Sequence, residues 1–331
     1  MVPMELQSIP AIYLWGIEII KAIQKLKSPA LTAILMFITD LGTDLFYLPV
    51  ILFLFWWVDE KKGFRLGILM LLSAWINTLL KDVFKQPRPF NFDPSLGLAY
   101  EPTYGVPSGH AQFSLCFWVP VAAWFAEKKS GRRRIVVWAA AIFFILLIGF
   151  TRLYLGVHFP TDLLAGWLMG AIILFLMCFL NPLFIKHLSG QTRAHNILAA
   201  ITALAMISVY PDDRSLPAVF LGFYIGYNIM KKNFPFSAQS EIKEKKLFTM
   251  FSRCLIGFAG LVAIYVVLRL LLPGEASLFS YVPMWGQASP FYELGRFIRY
   301  GMVGLWASAG APMVFQRMGL SYTAKSETPG R

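Results

Sequence analysis

Long apolar runs separated by short polar turns recur along the chain. About 20 apolar residues cover the roughly 30 Å of a bilayer's hydrocarbon, and nine windows of that kind fall at residues 31–58, 64–84, 108–126, 134–151, 158–180, 195–210, 214–230, 250–272 and 296–316. The pattern predicts an all-α, polytopic membrane helical bundle of about nine transmembrane helices. Upstream, residues 10–26 set Glu18 and Lys21 into an apolar stretch, which predicts an amphipathic helix lying in the interface. The first window is long and contains Asp40, Gly42 and Asp44, so a kink or a polar inner face is expected there. The two windows flanking the PDDR turn at 211–214 are the shortest.

The polar positions orient this bundle. Basic residues gather in segments 59–65, 127–134, 185–193 and 231–246, and with nine spans all four share one face with the C-terminal tail. Short basic loops stay in the cytoplasm. The N-terminus, the loops 85–107, 152–160 and 273–295, and the PDDR turn are therefore expected outside. Composition agrees: 57% of residues are hydrophobic and 15% charged, against about a quarter charged in soluble domains. The net charge of +12 resides largely in those basic loops, so it orients helices, and no nucleic-acid partner is expected. Cys116, Cys178 and Cys254 sit far apart in apolar runs, which argues against a disulfide framework or metal spacing.

Three polar clusters interrupt the apolar pattern on the expected outer face. Lys81 ends a span ahead of Arg88 and Pro89; Pro107-Ser108-Gly109-His110 opens the next span; and TRLYLGVHFPTD, residues 151–162, carries Arg152, His158 and Asp162. Ionisable residues at membrane depth cost about 2.5–3.5 kcal/mol even on lenient insertion scales, so they mark function. Phosphoryl transfer asks mainly for positioning and for neutralisation of charge on the phosphate oxygens. Lys81, Arg88 and Arg152 can neutralise that charge, arginine through its bidentate fork. Ser108 can cap a helix whose free N–H groups, at Gly109 and His110, point at an anion. His158 and Asp162 are four apart, with Pro160 favouring a helix start between them. The carboxylate can then hold the imidazole as a nucleophile, leaving His110 as general acid.

The ordered set of Lys81 with Arg88-Pro89, Pro107 to His110, and Arg152 with His158 and Asp162 resembles the three-part signature of the type 2 phosphatidic acid phosphatase superfamily. That superfamily also includes vanadium haloperoxidases and bacterial acid phosphatases. Thr151 stands where the family usually has serine, keeping the hydroxyl. The resemblance covers residues 31 to 180. It implies a helical core that works without metal or cofactor, with His158 as nucleophile and His110 as acid. The four further windows give a layout similar to that of glucose-6-phosphatases and of the C-terminally extended sphingosine-1-phosphate phosphatases.

The expected domains are an interfacial helix over 1–30, a phosphatase core over 31–180 and a transmembrane extension over 181–331 with a cytoplasmic tail. The expected function is hydrolysis of a lipid phosphate or diphosphate through a phosphohistidine at Lys81, Arg88, Ser108, Gly109, His110, Arg152, His158 and Asp162. The membrane would be a bacterial inner membrane or of endoplasmic reticulum type, with the site facing the periplasm, exterior or lumen. Partners are a phosphorylated lipid and the surrounding lipids. A soluble sugar phosphate as substrate and a non-catalytic lipid transporter are the alternatives. Asp40 and Asp44, without a third ligand, are read as pairing with a cation and not as a metal site; Glu293, Arg296 and Arg299 are read as an interfacial collar.

Overall fold

The structure, a computed structural model, describes residues 10–188, 192–239, 246–282, 284–286 and 289–321. The centres of two basic loops and the C-terminal tail lie outside the described residues. The regular elements are helices, and they form two compact units: Met1–Pro49 with Leu72–Asn181, and Val50–Leu71 with Pro182–Arg331.

In the first unit, α1 (Ala11–Gln24) forms where the amphipathic pattern placed it. Its Ile17 and Ile20 pack against Leu96 and Phe159. The next span is broken: α2 (Pro29–Asp40) and α3 (Asp44–Val58) are bent by 46° across residues 41–43, as the Asp40-Gly42-Asp44 interruption suggested. Ser28 caps α2, its hydroxyl accepting from the Leu31 amide at 3.2 Å. Helix α4 (Glu60–Phe84), which belongs to this unit from Leu72 onward, leads to the short α5 (Pro89–Phe92), then α6 (Gly109–Ala126), α7 (Gly131–Tyr154) and α8 (Pro160–Leu188). Helix α7 packs on α1, α2 and α6.

The second unit contains α9 (Thr192–Val209), α10 (Ser215–Asn233), α11 (Lys246–Leu271) and α12 (Tyr292–Leu305), which continues through a π turn into α13 (Ala311–Arg317). Here α10 packs on α9 and α12. The Trp56 indole donates to the Ala307 carbonyl at 2.8 Å, and the Arg253 guanidinium donates to the Trp56 carbonyl at 3.0 Å.

Every apolar window falls on a helix. Four described helices are long and apolar enough to cross a membrane, or five if the bent α2–α3 pair is one span. The difference from nine has a physical cause. Helix α6 carries His110, Gln112 and Ser114, α9 is apolar only over the shorter Arg193–Val209, α10 ends in Lys231-Lys232-Asn233, and α12 has 14 residues that include Glu293, Arg296 and Arg299. The chain is an integral membrane protein of helical architecture.

Candidate active site

The third cluster is shaped by how α7 ends and α8 begins. Helix α7 stops at Gly156, which adopts a left-handed φ of +66°; a side chain there would collide with the Leu96 carbonyl. Glycine closes a helix this way without strain. The turn then carries His158 and Phe159 into Pro160, the first residue of α8. Asp162, in that first turn, reaches back: its Oδ2 accepts from the Phe159 amide at 2.9 Å and lies 3.2 Å from His158 Nδ1. Its Oδ1 accepts from the Gln86 side chain at 2.8 Å. The carboxylate therefore caps a helix and orients an imidazole at once. Behind it, the Phe159 ring packs against Tyr13 of α1, at a centroid distance of 5.0 Å.

With Nδ1 turned to the carboxylate, His158 Nε2 faces the cations. Arg88 NH1 lies 3.1 Å from Nε2 and donates to the Val157 carbonyl at 2.8 Å. Arg88 is further held by the carbonyls of Thr103, at 2.6 Å, and Tyr104, at 3.0 Å. Lys81 donates to the same Tyr104 carbonyl, so two cations share one loop segment. Arg152, from the last turn of α7, donates through NH1 to the Thr39 hydroxyl at 2.8 Å and pairs through NH2 with Glu101. Lys85, one turn beyond Lys81, is exposed.

Arg88, Arg152, His158 and Asp162 are each 2% exposed or less. Burial raises the cost of charging His158, and the neighbouring Arg88, Arg152, Lys81 and His110 add to it, so the imidazole is held well below its usual 6.5 and is neutral at pH 7.

The second cluster is locked to α4. Ser108 caps α6, its hydroxyl accepting from the Ala111 amide at 3.5 Å, while its own amide donates to the Asp162 carbonyl at 3.0 Å. Asn77, one turn before Lys81, donates to the Gln112 side chain at 3.0 Å and to the Pro107 carbonyl at 3.3 Å; Gln112 in turn donates to the Ser73 carbonyl at 2.8 Å. This buried network fixes the turn that presents the first amides of α6, at Gly109 and His110, which have no partner further back in the helix. His110 Nε2 is buried without a hydrogen-bond partner. Its ring lies against Gly42, in the bend between α2 and α3, where a Cβ would come within 2.7 Å of His110 Cδ2.

All eight residues singled out from the sequence thus lie in the one unit, where the charges of Lys81, Arg88 and Arg152 act on both histidines. Several that were not singled out also build it. Glu101 is the foremost: its carboxylate pairs with Arg152 and lies 3.9 Å from Arg88, spanning both arginines as two phosphate oxygens would. Gln86 and Thr39 hold Asp162 and Arg152. Glu101, Thr39 and Gln86 carried no signal of their own in the sequence, because their roles arise from distant chain segments.

Residues 62–185 match the family described as PAP2 superfamily, and residues 215–325 match its phosphatase transmembrane extension. Phosphatidylglycerophosphatase B of Bacillus subtilis is 33% identical over 164 residues, covering 47% of this chain and 78% of the relative. Undecaprenyl-diphosphatase of Sulfolobus acidocaldarius is 32% identical over 165 residues, 49% of this chain and 76% of the relative. Sphingosine-1-phosphate phosphatase 2 of Mus musculus is 25% identical over 315 residues, 86% of this chain and 87% of the relative. The crystal structure of a transmembrane PAP2-type phosphatidylglycerolphosphate phosphatase from Bacillus subtilis superposes with a TM-score of 0.46 at 27% identity, over 53% of this chain and 88% of that one.

Proposed function

We propose that this chain, which belongs to the PAP2 superfamily and is a membrane phosphatase, hydrolyses a lipid phosphate or diphosphate on the extracytoplasmic face through a phosphohistidine. The observation that carries this reading is His158, with Nδ1 against Asp162 and Nε2 beside Arg88. Relatives named for phosphatidylglycerophosphate, undecaprenyl diphosphate and sphingosine 1-phosphate support a lipid substrate. So does the loop above the site, where Phe90, Leu98 and an exposed Tyr100 line an open cleft of about 370 Å³ suited to an amphiphile.

The substrate's phosphate displaces the Glu101 carboxylate and takes its place on Arg88 and Arg152, with Lys81, the Ser108 hydroxyl and the Gly109 amide on the remaining oxygens. His158 Nε2 attacks phosphorus in line, forming a P–N bond as the ester P–O bond breaks. In the empty site, burial and the neighbouring Arg152, Lys81 and Arg88 hold His110 well below its usual 6.5; the bound phosphate offsets those cations, and His110 then carries the proton that it gives to the departing oxygen. Asp162 stabilises the imidazolium that results. Neutral His110 then takes a proton from water, the hydroxide attacks phosphorus, the P–N bond breaks, and phosphate leaves. The proposed reaction is metal-independent: Lys81, Arg88 and Arg152 supply the positive charge that the phosphate oxygens need. Residues 31–180 form the proposed catalytic core and 181–331 the extension.

Incubation with a radiolabelled lipid phosphate and acid-labile trapping test the chemistry. Wild type is expected to carry label, and His158→Ala to lose both label and turnover; near-normal phosphatase activity in that variant would sink the mechanism. The face is tested by Tyr100→Cys in intact cells, which a membrane-impermeant maleimide is expected to label.

A further inference from the structure

The C-terminal unit holds a cluster of cations that the phosphatase site does not use. Arg269 lies in the last turn of α11, and Arg296 and Arg299 lie on α12. With Tyr265, Tyr292 and Tyr300 they line a cleft of about 320 Å³, within the range of about 300–1,000 Å³ typical of small-molecule sites.

Arg299 is no solvated collar residue. It is 8% exposed, its guanidinium sits 5.5 Å from the ring centroids of both Tyr265 and Tyr300, and its Nε has no hydrogen-bond partner. Buried polar groups in native proteins are almost always satisfied, and a buried cation without a counter-charge is costly. The two aromatic faces offset part of that cost. Arg296 differs: Glu293 at 3.7 Å and Asp213 at 4.0 Å neutralise it from outside the cleft. Arg269 and Arg299 have no ion-pair partner among the described residues. Glu275 lies at the exposed rim. Two planar forks with free N–H donors, beside tyrosine hydroxyls, suit an oxyanion with several oxygens, phosphate above all.

A second feature of the same helix indicates how such an anion arrives. Helix α11 presents Leu255, Val262 and Val266 outward, all exposed, along an apolar groove of about 640 Å³. Val262, Val266 and Arg269 follow at i, i+4 and i+7, hence on one helical face. Residues Leu247–Leu271 are long and apolar enough to span a membrane. An acyl chain lying in the groove would carry its headgroup to Arg269.

We propose that this cleft is a second phosphate-binding site, which takes the phosphate of an anionic lipid headgroup, or free phosphate, on Arg269 and Arg299. It stands independently of the hydrolytic reading.

The test uses the full chain in nanodiscs. Inorganic phosphate binding is measured by equilibrium dialysis in phosphatidylcholine discs. Lipid retention is measured by native mass spectrometry in discs containing phosphatidylglycerol, a phosphodiester that a monoesterase leaves intact. For one of these probes, Arg299→Gln is expected to lower the bound ligand by one per chain. Arg269→Gln, at an exposed position that tolerates substitution, is expected to weaken binding of that probe about tenfold or more. Turnover of a lipid phosphate in both variants shows that the fold is intact. An effect on the lipid alone assigns the headgroup, an effect on inorganic phosphate alone assigns the free anion, and either supports the site. Wild-type binding of both probes by both variants would overturn it. So would loss confined to Arg299→Gln and accompanied by lost turnover, with Arg269→Gln binding as wild type.

Discussion

At the scale of single residues, the site is a set of charges that burial keeps under tension. Two guanidiniums at 2% exposure would be strongly destabilising without an anion, and Glu101 supplies one. Glu101→Gln is therefore expected to remove a competitor of the substrate's phosphate: the inhibition constant of vanadate, a phosphate mimic, should fall by about tenfold, while thermal stability of the empty protein declines. His110→Ala should lower kcat by about 10² to 10⁴, the usual worth of a positioned acid, with rescue on substrates whose leaving group needs no proton. The neutral state of His158 sets a pH dependence. Its folded pKa lies below 6.5, so the unfolded chain takes up a proton there that the folded chain refuses, and stability declines as pH falls below 6.5. For the same reason the acid limb of kcat/KM due to this nucleophile is expected below 6.5, and a pH profile on a water-soluble phosphate ester checks it. The proposed catalytic residues drew notice because a charge inside an apolar run is conspicuous. Glu101, Thr39 and Gln86 did not, since an acid, a threonine and a glutamine in or near loops look like ordinary surface.

At the scale of elements, the chemistry depends on where helices stop. The proline at 160 and the serine at 108 are local signals read directly from residue type, and the αL glycine at 156 closes α7 by equally local geometry. The bend of α2–α3 is different in kind. Its polar interruption was visible, but not that Gly42 would back onto His110. Gly42→Ala places a Cβ 2.7 Å from His110 Cδ2 and 2.8 Å from Ile148 Cγ2, an overpacking of about 1–3 kcal/mol. It is expected to lower kcat with KM nearly unchanged, which steady-state kinetics would show. Helix α1 was expected as an interfacial element, and it also buttresses the site: the Gln24 side chain donates to the Tyr154 and Leu96 carbonyls, both at 2.8 Å, holding the turn that presents His158.

At the scale of the whole molecule, the chain's compact units do not follow its motif order. Residues Val50–Leu71, which precede every catalytic residue, pack with the C-terminal helices: Trp56 bonds to Ala307, and Phe64 stacks on Tyr227 at 3.8 Å. Ending the chain after residue 181 strips these side chains of their partners while leaving the catalytic set complete. That truncation is expected to abolish monodisperse protein in size-exclusion chromatography, whereas the full chain elutes as a single peak. By itself the sequence determined what depends on local chemistry and on the bilayer: that the chain is helical, that it belongs in a membrane, and which charges stand out inside its apolar runs, since lipid tolerates neither an unpaired backbone nor an idle ion. Only the tertiary structure decided which distant groups answer those charges: Glu101 across two arginines, Gly42 behind an imidazole, and Arg299 with no counter-ion among the described residues. Those pairings join segments dozens of residues apart, and no local propensity encodes which side chain a folded neighbour will meet.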